Sequence, residues 1–136
     1  MVIAVGKIEY LRTKKPWNGS SEDITIPTRD GESIPVRVYH SSMYSEKSLL
    51  PLVVWYHGGG FCLGGLENDD SFCRRVAVEL KCVVANVDYR LAPEHPFPIP
   101  INDCWDAFQW VRPPVAKTRL YVLTLSVVLK SSQLRS

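Results

Sequence analysis

The residues best placed to do chemistry lie in "HGGGFCLGG", His57 to Gly65, where five of the chain's eight glycines fall within nine positions. Glycine lets backbone N–H groups approach a ligand closely, and a cluster of such groups binds negative charge. Three uses of a glycine-rich loop after a buried strand compete. A dinucleotide fingerprint needs glycine at the first, third and sixth positions of a turn that opens a helix. Counted from Gly58, the sixth position is Leu63, and the next helix is expected only from about Asp69. A phosphate-binding P-loop closes with G-K-[ST], whereas Gly64-Gly65 runs into Leu66-Glu67. The third use fits. Two successive amides can stabilise the oxygen that becomes negative when a nucleophile attacks an ester carbonyl, one donor being worth about 3 kcal/mol in the transition state.

A second motif follows, "DYRLAPEHPFP", from Asp88 to Pro98. Together, in this order and spacing, the two stretches resemble the hormone-sensitive-lipase-like carboxylesterases of the α/β-hydrolase fold. The helix expected at "INDCWDAFQWV" resembles that family's next element, so the likeness runs from about Val36 to Val111. The resemblance implies that Gly59 and Gly60 supply oxyanion-hole amides and that His57 and Gly58 hold the loop's shape. It further implies that Asp88, Tyr89, Arg90 and Glu94 organise the neighbouring loop, with Pro93 and Pro96 stiffening it. It implies small esters as substrates and no cofactor. No metal site is expected, since His57 has no second ligand near it in the sequence.

The family's nucleophile is a serine in G-x-S-x-G, followed by an acid and then a histidine. No glycine follows Gly65, no acid follows Asp106 and no histidine follows His95. Ser126 lies in "TLSVV" and cannot form the elbow. No residue of this sequence is therefore assigned a catalytic role, and the triad is absent from it.

The elements that must position these residues read as an α/β arrangement. Asp23–Arg29 and Ser33–His40 are expected strands joined at Asp30-Gly31, a hairpin turn, with Ile34, Val36 and Val38 on one face. "PLVVWYH" and "CVVANVDY" are apolar without alternation, as strands buried on both faces are. A helix is expected to about Leu80, with Asp69, Asp70 and Ser71 as N-cap candidates and Phe72, Val76 and Leu80 at helical spacing. A second is expected over Ile101–Arg112, with Ile101, Cys104, Trp105 and Phe108 on one face, ended by Pro113-Pro114. "RLYVLTLSVVL" reads as one more strand. The expected fold class is α/β: a partial α/β-hydrolase sheet with an N-terminal antiparallel hairpin, then parallel strands with flanking helices, truncated before the nucleophile elbow.

Composition bounds the partners. The 136 residues suit one domain, and the net charge of +2, with no basic cluster interleaved with aromatics, argues against nucleic acid. The N-terminus lacks the long apolar region of a secretory signal. The run from Tyr121 to Leu129 is too short to span a bilayer. The expectation is a cytoplasmic protein with four free, mostly buried thiols at Cys62, Cys73, Cys82 and Cys104.

Residues 1–112 are thus expected to form the N-terminal part of an α/β-hydrolase domain and 113–136 a divergent tail. The leading reading is a carboxylic ester hydrolase whose triad is not encoded here, as an incomplete gene reading would give. The alternative is a catalytically inactive fragment that binds a small molecule or a partner. An open sheet edge and the uncharged "LYVLTLSVVL" are expected to promote self-association.

Overall fold

The computed structural model describes residues 17–45, 50–111 and 120–124. The elements are β1 (Ser20–Pro27), β2 (Ser33–His40), β3 (Leu52–Tyr56), α1 (Asp70–Leu80), β4 (Val83–Val87), α2 (Ile99–Val111) and β5 (Leu120–Thr124). They form a five-stranded sheet in the order β1-β2-β4-β3-β5.

The hairpin forms where the sequence predicts it. Thr28 and Glu32 close the turn through a 2.9 Å backbone bond, and Gly31 adopts φ +87, a conformation that favours glycine. Its register sets Ile26 opposite Ile34 and Ile24 opposite Val36, so one face is apolar. β2 then pairs antiparallel with β4, while β4, β3 and β5 run parallel. Parallel neighbours need a crossover, and α1 supplies it between β3 and β4.

The central strands are apolar on both faces because each face is covered. Val54, Tyr56, Ala85 and Val87 pack with Ile26, Ile34, Val36 and Ala107 of α2. Val53, Trp55 and Val84 pack with Tyr39 and with Cys73, Val76 and Ala77 of α1. The two helices therefore lie on opposite sides of the sheet.

Both helices differ in detail from expectation. In α1 the buried residues are Cys73, Val76 and Ala77, whereas Leu80 is 55% exposed. The helix ends at Leu80 as expected, capped by Lys81, which turns left-handed and whose N–H bonds the Ala77 carbonyl. Asp69 is the N-cap residue but its side chain makes no cap bond. Its carboxylate instead accepts the Trp55 indole N–H at 2.9 Å. In α2 the face expected from Ile101, Cys104, Trp105 and Phe108 is not the buried one. Pro100, Asp103 and Ala107 are buried, Cys104 and Val111 pack beside them, and Ile101 and Trp105 point outward. The cause is Asp103, which Arg90 draws inward as an ion pair. That pair sets the rotation of the helix against the apolar pattern.

β5 lies within the stretch expected as a last strand. Residues 119 and 125–129 of that stretch fall outside the described residues.

Candidate functional site

The glycine loop leaves the carboxyl end of β3, the edge at which parallel α/β sheets place ligand sites. His57 is buried beneath it. Its Nδ1 lies 2.9 Å from the Gly58 carbonyl, and since a carbonyl only accepts, Nδ1 carries the proton. The imidazole stacks on the Tyr89 ring at 4.2 Å and 10°, and the Tyr89 hydroxyl donates to the His57 carbonyl at 2.6 Å. His57 Nε2 is buried and has no partner among the described residues. His57 is thus held as part of the loop's frame.

Above it, Gly59 and Gly60 are exposed and have φ of +130 and +62. Neither of their N–H groups finds an acceptor among the described residues, while the Gly59 carbonyl takes the N–H groups of Cys62 and Leu63 at 3.2 and 3.1 Å. A Cβ on Gly59 would collide with the Leu63 carbonyl. Phe61 also sits in the left-handed region at φ +64, which costs a side-chain-bearing residue about 1–2 kcal/mol. Its carbonyl accepts the Ala92 N–H at 2.8 Å, and its ring lies against Tyr89.

The second motif packs under and beside this loop. The Asp88 N–H donates to the Pro35 carbonyl at 3.0 Å. Burial raises the Asp88 carboxyl above its ordinary range, outweighing the attraction of His57 and Arg37. Arg90 makes three bonds to Asp103 from its backbone N–H, Nε and a terminal nitrogen, at 3.0, 2.9 and 2.6 Å, and reaches Asp30 at 2.8 Å. The structure therefore brings together His57, Gly58, Gly59, Gly60, Asp88, Tyr89 and Arg90. Glu94 is exposed at the outside of the loop, and its side chain bonds no described residue.

Sequence reasoning missed four further anchors. Asp103 receives Arg90, and Asp69 receives Trp55. Asn86 donates to the Leu66 carbonyl at 3.2 Å. Arg37 on β2 bonds Asp23 at 2.6 Å and Glu67 at 2.7 Å, and also reaches Asp70. The contacts at Leu66, Glu67, Asp69 and Asp70 fix the end of the loop where α1 begins. Only Asp103 gave a signal, as an acid among the apolar residues of "INDCWDAF". Among the described residues no group of three or more His, Cys, Asp or Glu side chains could hold a metal ion.

A family profile described as the alpha/beta hydrolase fold matches residues 53–127. The carboxylesterase NlhH of Mycobacterium tuberculosis is 53% identical over 90 residues, covering 66% of this chain and 28% of that protein. A hyperthermophilic esterase from the archaeon Pyrobaculum calidifontis superposes with a TM-score of 0.63 at 51% identity, covering 71% of this chain and 30% of the other. An ester hydrolase from the Lake Arreo metagenome superposes with a TM-score of 0.72 at 36% identity, covering 85% and 38%. The chain belongs to the α/β-hydrolase family, in the hormone-sensitive-lipase-like branch to which its two motifs point. It spans less than a third of the length of the curated carboxylesterases and esterases to which it is similar. Among the described residues no helix is long and apolar enough to cross a membrane.

Proposed function

We propose that this chain carries the oxyanion-hole half of a carboxylic ester hydrolase acting on small esters. Gly59 and Gly60 supply the two amides, His57 and Gly58 hold the loop, and Asp88, Tyr89 and Arg90 brace it from below. The observation that carries the reading is the pair of exposed Gly59 and Gly60 amides without an acceptor among the described residues, on a loop braced at both ends. Donors fixed in this way stabilise a tetrahedral oxyanion without reorganising during the reaction. The attacking serine, its histidine and its acid are not among these 136 residues. We place them in sequence that continues the family pattern beyond Val111, with residues 1–112 as the N-terminal part of the domain. A cytoplasmic setting fits four cysteines that are all free thiols.

The test begins with the transcript across the codons for Trp110 to Ser136. The message is expected to continue into G-x-S-x-G, an acid and a histidine, and its product to hydrolyse short-chain p-nitrophenyl esters. In that product Gly59→Ala, whose Cβ collides with the Leu63 carbonyl and so displaces the amide, is expected to lower kcat by about 100-fold or more. A message that ends at Ser136 together with no ester turnover sinks the hydrolase reading.

A further inference from the structure

Asp103 lies on α2, outside both motifs, and is the one buried aspartate or glutamate among the described residues, at 0% exposure. A carboxylate taken wholly out of water is unfavourable unless its oxygens are paired. Arg90 pairs both of them. It also gives its backbone N–H to Oδ2, so the acid fixes the main chain as well as the side chain. The same guanidinium reaches Asp30, whose carboxylate is held by the Thr28 hydroxyl at 2.6 Å. Arg90 is thereby locked between α2 and the hairpin turn.

The residues flanking Arg90 grip the glycine loop at two points. Tyr89 bonds the His57 carbonyl, immediately before the glycines. Ala92 donates to the Phe61 carbonyl, immediately after Gly60. Phe61 stays in its left-handed conformation only where the surroundings over-determine it, and the Ala92 bond is the contact that holds its peptide plane. The segment from Tyr89 to Ala92 thus acts as a brace whose own place is set by one carboxylate.

We infer that Asp103 is a positioning residue for the oxyanion loop, acting through Arg90 and the Ala92–Phe61 hydrogen bond. Its functional meaning rests on the ester-hydrolase reading above. The geometric claim is tested without it.

Residue-resolved amide exchange on the folded chain reads the brace directly. In Asp103→Asn the Ala92 amide is expected to exchange about 10-fold faster or more, while Val54 and Ala85 in the central strands change little. Asp103→Glu, which keeps the charge, is expected to recover part of the protection. Unchanged Ala92 exchange overturns the inference, and so does equal acceleration at all three amides, which marks a merely structural role. If Asp103→Asn does not fold, the unsubstituted chain decides. Arg90 Nε–H and Ala92 N–H are expected to open with one denaturant dependence, and separate dependences overturn the inference. A brace that loosens in this way, beside ester turnover indifferent to Gly59→Ala, sinks the functional reading and leaves Asp103 in its place.

Discussion

The Tyr89 hydroxyl donates to the carbonyl of His57 at 2.6 Å while its ring lies nearly parallel to the His57 imidazole at 4.2 Å. One residue thus ties the last backbone carbonyl before the glycines to the motif that follows β4. The ring supplies area and the hydroxyl supplies direction. Tyr89→Phe keeps the first and removes the second, leaving a buried carbonyl short of a donor. The expected loss is about 1–2 kcal/mol in denaturant unfolding, and Tyr89→Leu is expected to lose more.

Two glycines of the loop should respond differently to the same substitution. At Gly60, φ is +62 and a Cβ meets nothing within 4 Å. At Gly64, φ is +110 and a Cβ would collide with the His57 ring and lie 2.8 Å from the Gly58 carbonyl. Gly60→Ala is expected to cost about 1 kcal/mol of conformational strain. Gly64→Ala is expected to cost clearly more and to displace His57, visible as a shift of its imidazole NMR signals. Equal costs at the two positions count against the loop geometry.

Arg90→Met removes the partner of a wholly buried carboxylate. Breaking such a pair is expected to destabilise the chain by about 3–5 kcal/mol, measured by urea unfolding. Arg29→Met, on the exposed Arg29–Asp106 pair, is the comparison, with a much smaller expected loss.

Acid should unfold the protein through its bridged carboxylates. Asp23, Asp70 and Asp106 are held below the usual range by hydrogen bonds from Arg37, Arg74 and Arg29. Asp30 is lowered from 3.8 to about 2, first by the Thr28 hydroxyl and then by Arg90. A group lowered on folding contributes stability above its unfolded pKa and loses it as pH falls through the folded one. Asp88 acts in the opposite sense, because burial raises it and protonation relieves that penalty. Four groups against one give a melting temperature that falls between about pH 4 and pH 2. A flat profile there contradicts the ion pairs.

The thiols provide a check on burial. Cys82 and Cys104 are pushed up to about 12 by desolvation and Cys73 further still, whereas Cys62 is exposed on the glycine loop. With a thiol reagent at about pH 8, one cysteine is expected to react rapidly in the native protein and all of them only after unfolding. Fast native labelling of Cys73 or Cys82 contradicts the packing of α1 on the sheet.

Much of the fold was legible because its signals are local. Unbroken apolar runs marked β3 and β4, Asp30-Gly31 marked the hairpin, and two motifs marked the loops beyond the parallel strands. The glycine loop was legible as well, since its φ values demand glycine. The rotation of α2 was not. "INDCWDAF" carries two candidate apolar stripes, and the choice between them lies with Arg90, on a different element. Asp69 stands at the N-cap position that its type suggests, but the use of its side chain was not legible. Its residue type suits a helix cap, but the indole of Trp55 lies within reach and takes the carboxylate. Arg37 left no trace in the sequence, because its three acidic partners come from β1, the loop and α1.

The strand order has a consequence during synthesis. β2 lies against β4, His40 opposite Val83, while β3 lies on the far side of β4. The hairpin leaves the ribosome first, with Ile26, Ile34 and Val36 forming a bare strip. Part of their cover, Val87 of β4 and Ala107 of α2, lies well downstream and emerges later. For that interval the nascent polypeptide presents an adhesive surface to neighbouring chains on the same message. Slower translation between the codons for Ser41 and Ala107 is therefore expected to lengthen that exposure.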